Sequence, residues 1–173
     1  MRWILLILLA ASLTPSLSAM GKKIQPNRLT FHLQGNKQDG PKRAFPLPVY
    51  GKQVYFRRTP EIVTKDVIAF KPFPAKDGSF GATFFLSKVA KQRLAAITTK
   101  NQKSWFAAML NGRPIDCVFV DRPVQDGKLV VWQGLSRSDI GRFVMKIPYP
   151  GDSKEMWKAR KKGAKAELKP KKK

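Results

Sequence analysis

The sequence predicts an α+β domain in which two helices pack on one face of an antiparallel sheet. Strand and helix signals follow each other closely between Gly81 and Ile147, and two segments there have the periodicity of amphipathic helices. The predicted order is strand, helix, strand, strand, strand, helix, which suits a sheet with both helices on one side. A proline-rich segment precedes this unit and a lysine-rich segment follows it.

The first strand and helix are predicted within Gly81 to Ile97. Residues 81–87 read Gly-Ala-Thr-Phe-Phe-Leu-Ser, which indicates a strand covered on both faces. Ser87 is a predicted N-cap, because its side chain can accept a hydrogen bond from the first turn of a helix. Three apolar residues then recur at helical spacing: Ala90, Leu94 and Ile97.

Three more strands and a second helix complete the unit. Trp105 to Leu110 and Ile115 to Val120 flank Asn111-Gly112, a pair that tolerates the positive φ of a tight hairpin turn. Leu129 to Gln133 follows a turn at Asp126-Gly127. Ser136 and Asp139 resemble a capping box. The apolar residues of the second helix fall at i, i+3, i+4 and i+7: Ile140, Phe143, Val144 and Ile147.

The lead-in is rich in proline, which disfavours long helices. Leu29 to Gln34 alternates, so we expect a half-buried strand with Leu29, Phe31 and Leu33 inward and Arg28, Thr30 and His32 outward. Gln53 to Arg57 is expected to pair back, and Val67 to Phe73 is expected to form a hairpin with the strand before Ser87. The lead-in is either an extension of the same sheet or a small lobe packed on it.

This order and several of its residues resemble the periplasmic head region of the SecD protein-export subunit. In that family a helix closes on Thr-x-x-Asn, an Ala-rich strand ends in an Asp-Gly turn, and a Gly-Phe-Thr-like cap precedes the last helix. The corresponding residues here are Thr98-Thr-Lys-Asn101, Phe106-Ala-Ala-Met-Leu110 with Asn111-Gly112, and Gly134-Leu-Ser136. The likeness extends upstream to Thr64-Lys-Asp66 and covers roughly Pro60 to Ile147.

The resemblance implies a fold related to the ferredoxin-like family and a role near unfolded or exported polypeptide. We expect no proton-driven transport, because no bundle of membrane helices follows the head. Pro114 and Cys117 lie where the family has a Ser-Ala-Pro pattern, so no peptide-contact site is transferred to this chain.

The chain is predicted to be exported. Ile4 to Ala11 is an apolar run after Arg2, and Ser16-Leu-Ser-Ala19 offers a cleavage site, so residues 1–19 are a predicted signal peptide. The run is far shorter than the roughly 20 residues that span a bilayer. We expect a periplasmic location, with extracellular release as the alternative. The remaining predicted regions are the lead-in (20–59), the SecD-head-like domain (60–150) and a disordered basic tail (151–173).

Charge is the second informative feature. The chain has a net charge of +23, and Lys154 to Lys173 carries ten Lys or Arg residues against two Glu. Few bulky apolar residues occur in this tail, so it is predicted to be disordered and to favour anionic surfaces, although a merely solubilising role is an alternative. Trp157 is a candidate for a membrane interface. The predicted polyanion-binding residues are Lys158, Arg160, Lys161, Lys162, Lys165, Lys169, Lys171, Lys172 and Lys173.

The sequence contains no residue set that defines a reaction. One His and one Cys provide no zinc-ligand cluster, and no Gly-x-Ser-x-Gly or phosphate-binding Gly-rich loop occurs. Cys117 is expected to be a small core residue, sharing a strand face with Ile115 and Phe119, and His32 a surface residue. We therefore predict a protein that is not an enzyme, with no cofactor, no metal and no specific DNA recognition.

Two functional hypotheses follow. The first is a module that binds unfolded or exported polypeptide by β-augmentation, through exposed sheet edges and aromatic residues such as Trp132 or Phe106. The second is an envelope protein held on anionic polymer or on lipid headgroups by its lysine-rich tail.

Overall fold

The computed structural model describes residues 24–168, which form nine β-strands and three α-helices. The strands are β1 (Leu29–Leu33), β2 (Ala44–Val49), β3 (Lys52–Arg57), β4 (Ile62–Val63), β5 (Val67–Pro74), β6 (Phe80–Leu86), β7 (Trp105–Leu110), β8 (Arg113–Phe119) and β9 (Lys128–Leu135). The helices are α1 (Lys88–Lys100), α2 (Arg137–Val144) and α3 (Lys154–Glu167). The predicted signal peptide lies outside the described residues, as do Lys169, Lys171, Lys172 and Lys173.

The predicted α+β class is confirmed, and the order β6, α1, β7, β8, β9, α2 matches the predicted order. Both helices begin at the predicted serine caps, because the Ser87 side chain accepts a hydrogen bond from the Ala90 N–H and the Ser136 side chain accepts one from the Asp139 N–H. α1 and α2 contribute to one core with the sheets, and in this core the rings of Phe84 and Phe143 lie 5.4 Å apart.

The predicted single sheet is divided into three. One sheet has the order β4-β1-β7-β8, a second pairs β5, β6 and β9, and β2 and β3 form a separate hairpin. All the pairings are antiparallel, and the predicted hairpin between β5 and β6 is confirmed. β1 pairs with β7 and β4, which is the sheet extension that was one of the two alternatives for the lead-in. β3 pairs with β2 along its length, and a backbone bridge joins its Phe56 to Gln34, the residue after β1.

The two larger sheets meet where β8 runs beside β9. No ladder joins these strands; instead, the Asp116 carboxylate accepts a hydrogen bond from the Trp132 backbone N–H at 2.6 Å. Gly134 lies against β8, since a Cβ atom there would be 2.7 Å from the Ile115 carbonyl oxygen. Next to this junction, a β-bulge at Ile115 shifts the register between β7 and β8 by one residue.

The hairpin of β2 and β3 covers the face of β1 and β7 that points away from α1 and α2. Phe56 and Val49 pack there against Ala107. The expectation that Thr30 and His32 face solvent is therefore wrong, because both side chains are buried beneath this hairpin. The alternation of β1 is correct, but it could not show that a second layer covers the outer face.

The bulge also changes which face Cys117 occupies. Ile115 packs against the main core, which the sheets share with α1 and α2. Cys117 packs instead against the smaller core under the hairpin of β2 and β3. The expected common face for Ile115, Cys117 and Phe119 is wrong, because one extra residue shifts the alternation by one position.

The expectation of a disordered tail does not hold for α3. Ser153 caps this helix, and its side chain accepts a hydrogen bond from the Met156 N–H at 3.2 Å. The prediction assumed that the tail would have to bury its apolar residues alone. α3 instead packs on α2, with Leu168 beside Gly141.

Candidate functional site

Four lysines of α3 form the candidate site, which we call the lysine face: Lys158, Lys161, Lys162 and Lys165. Their spacing of i, i+3, i+4 and i+7 places them on one side of the helix. They line an open surface depression together with Met145, Ala159 and Glu155. Three of the lysines are exposed, and Lys161 is half-buried with its Nζ atom 4.3 Å from the centre of the Trp157 ring.

Contacts with α2 and the preceding loop hold α3 in position. The Trp157 indole Nε1–H donates to the carbonyl oxygen of Val144, the last residue of α2, at 2.9 Å. Trp157 is thereby an anchor for α3, and its expected place at a membrane interface stays a prediction. Ala164 adds a contact with the main core.

Arg160 has a different role from the neighbouring lysines. Its guanidinium donates hydrogen bonds to the Asp152 carboxylate at 2.9 and 3.2 Å and lies 4.1 Å from the centre of the Tyr149 ring. These hydrogen bonds hold the pKa of Asp152 below its ordinary value. The structure thus brings together four of the predicted polyanion-binding residues and directs Arg160 towards the body of the domain.

The lysine face carries an excess of positive charge. α3 contains six Lys or Arg residues and two Glu residues. Glu167 is engaged by Arg137 at 3.4 Å, and Glu155 lies at the edge of the lysine face. No ion pair to these four lysines occurs within residues 24–168.

The two aromatic residues proposed for polypeptide contact lie in different environments. Phe106 is buried in the main core, whereas Trp132 is 61% exposed. Trp132 lies beside Phe73, with 6.1 Å between the ring centres, and this neighbour was not predicted because the two residues are far apart in sequence. The outer strand β5 contains Pro72 and Pro74, and the Phe70 N–H already donates to the Pro148 carbonyl oxygen.

Several titratable groups outside α3 make hydrogen bonds that stabilise the local fold. Both ring nitrogens of His32 have partners, and burial lowers the pKa of its imidazole. Burial raises the pKa of the Cys117 thiol to about 11, and the nearby Asp116 carboxylate contributes to the increase. Asp66 and Asp139 cap turns or helices as predicted. Within the described residues, no group of three His, Cys, Asp or Glu side chains has a metal-binding arrangement.

None of the helices between residues 24 and 168 is long and apolar enough to cross a membrane.

Comparison with known proteins gives matches in structure only. No family model matches the chain, and no curated protein matches its sequence. A structure of SecDF, described as a membrane component that enhances protein export, aligns with 15% identity and a TM-score of 0.46, covering 65% of this chain and 57% of that one. SecDF in its Super-membrane-facing form aligns with 15% identity and a TM-score of 0.45, covering 63% of this chain and 17% of that one. These likenesses concern the fold alone.

Proposed function

We propose that this protein binds a multivalent anionic surface through the lysine face of α3. The observation that carries the proposal is the placement of Lys158, Lys161, Lys162 and Lys165 on one side of a helix whose other contacts fix it to the domain. A fixed row of cations meets many anions at once, and each Lys near an anionic lipid surface contributes about 1 kcal/mol.

The chemistry that fits this site is a dense array of phosphate or carboxylate groups. Ammonium groups act as point charges and do not require a specific anion geometry. The site should therefore select ligands by their density of negative charge and not by the chemical identity of the anion. Phosphate-bearing lipid headgroups and anionic envelope polymers both supply such an array. Binding of this kind weakens as salt screens the charges.

Co-sedimentation with vesicles tests the proposal. The full chain should bind phosphatidylglycerol vesicles and not phosphatidylcholine vesicles, and binding should fall steeply over a salt series. Competition by soluble polyphosphate distinguishes a general polyanion site from one that needs a bilayer. Equal binding to both vesicle types would contradict the proposal.

Polypeptide binding is a second candidate, favoured by the exposed ring of Trp132 beside Phe73. Exposed aromatic pairs supply large contact areas at protein interfaces. The prolines of β5 remove two of the N–H donors that β-augmentation would use, so side-chain contact is the mode that fits. Substituting Trp132→Ala should abolish capture of an unfolded polypeptide such as reduced carboxymethylated lactalbumin and leave vesicle binding unchanged.

A further inference from the structure

A cleft of about 620 Å³ opens between the hairpin of β2 and β3 and the end of β1. It shares no lining residue with the lysine face. The residues that line it include Arg28, Thr30, His32, Phe45, Arg58 and Asn111.

The floor of the cleft is polar, and its side chains are hydrogen-bonded. His32 Nδ1 lies 2.8 Å from the Arg57 carbonyl oxygen, which can only accept, so Nδ1 carries the proton of the neutral ring. Nε2 is then the acceptor for the Thr30 hydroxyl at 2.9 Å. Phe45 meets the imidazole edge to face, with 5.3 Å between the ring centres. The imidazole is thus fixed in one orientation and one tautomer.

Two arginines supply positive charge at the walls. Arg58 donates from Nε to the Pro41 carbonyl oxygen at 2.7 Å and lies 5.9 Å from the centre of the Phe45 ring, which places its guanidinium over the aromatic wall. Arg28 immediately precedes β1, whose Thr30 and His32 form the cleft floor, and its backbone N–H donates to Asn111 Oδ1 at 2.8 Å. Neither guanidinium has a carboxylate partner within the described part of the chain.

Apolar surface accompanies these charges. Phe45, Pro60 and Met109 line the same cleft, and its volume exceeds what a bare anion would fill. Small-molecule sites typically combine an apolar wall with a few placed polar groups. A guanidinium matches the two oxygens of a carboxylate in one plane.

We propose that this cleft binds a small organic carboxylate, with Arg28 and Arg58 contacting the carboxylate and Phe45 contacting the apolar body. Asn111 fixes the backbone of Arg28, and the Thr30–His32 pair forms the floor beneath the ligand. The cleft is separate from the lysine face, so an experiment can contradict the carboxylate site without contradicting anion binding by α3, and the reverse.

Binding should strengthen as the pH falls. The charged groups around His32 are Arg28 just before β1, Arg57 at the end of β3, and Arg58 and Glu61 in the segment that follows β3. Burial and the charge of Arg28 hold the pKa of His32 low in the empty cleft. A bound carboxylate favours the protonated ring, and by linkage the protonated ring favours the carboxylate.

The imidazole offers a local reporter, because His32 is the only histidine in the chain. The full chain is titrated with benzoate at constant ionic strength while the His32 ring resonances are followed by NMR. Acetate lacks the apolar body, and benzyl alcohol lacks the charge. We expect a saturable shift with benzoate, weaker binding of acetate and no saturation with benzyl alcohol.

Arginine variants test whether Arg28 and Arg58 contact the carboxylate. Arg28→Gln and Arg58→Gln should each raise the benzoate Kd about tenfold, the usual scale for losing a charge-assisted hydrogen bond. Arg122→Gln removes the same charge from an exposed loop position outside the cleft and should leave the Kd unchanged. All three residues are exposed, so the variants should remain folded, which circular dichroism checks. Saturation with benzyl alcohol, or equal Kd values for all variants, would overturn the proposal.

Discussion

The carboxylate of Asp116 accepts a hydrogen bond from the backbone N–H of Trp132 at 2.6 Å and thereby joins β8 to β9. The other carboxylate oxygen accepts from the Cys117 N–H at 2.8 Å. The Asp116 side chain thus connects the two larger sheets where the backbone ladder is missing, and the Arg113 guanidinium of β8 also donates to the Gly134 carbonyl oxygen of β9 at 3.3 Å.

Removing this carboxylate should weaken the junction. Asp116→Ala loses both acceptors and should lower the free energy of unfolding by about 2 kcal/mol, whereas Asp116→Asn keeps one acceptor and should cost about 1 kcal/mol. Urea unfolding measures both. Asp121→Ala, in the exposed loop after β8, is the control. An Asp116→Ala variant as stable as the control would show that the junction does not depend on this side chain.

Alanine substitutions at two glycines distinguish the cost of a positive φ from the cost of a steric clash. Gly134 and Gly151 both have positive φ, at 86° and 80°, but only at Gly134 would a Cβ atom meet another strand, 2.7 Å from the Ile115 carbonyl oxygen. Gly151→Ala should cost about 1 kcal/mol from φ alone. Gly134→Ala should cost about 1–3 kcal/mol more, because β8 and β9 must move apart. Thermal unfolding compares the two, and equal costs would contradict the close approach of these strands.

Cys117 should react slowly with thiol reagents in the folded protein. Its pKa is raised to about 11 from an ordinary value near 9, so almost no thiolate is present at pH 8. The reaction rate with iodoacetamide should rise with pH only as 11 is approached, and unfolding in urea should move this rise down to the ordinary range.

The same shift has a consequence for stability. A thiol that holds its proton more tightly when folded contributes stability below pH 9, and this contribution is lost between pH 9 and about 11. Cys117→Ala should remove that part of the alkaline destabilisation. An alkaline profile identical to that of the natural chain would contradict the assignment.

Arg160 should control the titration of Asp152. The guanidinium lowers the pKa of this carboxyl group, so the contact stabilises the fold above the ordinary pKa of an aspartate and is lost as the pH falls through the lowered value. In Arg160→Gln, the carboxyl ¹³C resonance should titrate in the ordinary range, and the helical signal at 222 nm should decrease as α3 frays. Arg137→Gln is the matched control, because its ion pair with Glu167 is largely exposed. An unchanged Asp152 titration in Arg160→Gln would refute the role of this contact.

Local signals predicted much of the fold. The serine caps, the Asn111-Gly112 turn and the apolar periodicity each act within a few residues, and the structure has these elements near their predicted places. The division of the sheet was not predictable in this way, because β8 and β9 share no ladder and contact each other through Asp116 and Trp132, which are 16 residues apart.

The four lysines of the candidate site were among the predicted polyanion-binding residues, but their arrangement on one face of a helix was not predicted. Lysine content indicated a cationic segment, but the helix depends on Trp157 reaching Val144 and on Arg160 reaching Asp152. These contacts depend on the position of α3 relative to α2, and the spacing of apolar residues in the sequence does not reveal that position. Gly141 lowers helix propensity locally, and the sequence did not indicate that Leu168 lies beside it.

The salt dependence of vesicle binding by a charge-matched pair of variants tests the central claim most directly. The triple variant Lys158→Gln, Lys162→Gln and Lys165→Gln alters the lysine face, and Lys37→Gln, Lys52→Gln and Lys76→Gln removes three exposed lysines elsewhere. We expect the first to bind phosphatidylglycerol vesicles about a hundredfold more weakly, from about 1 kcal/mol for each lysine. It should also have a shallower salt dependence, while the second keeps most of its affinity. Equal losses in the two variants would show that net charge, and not the lysine face of α3, governs binding.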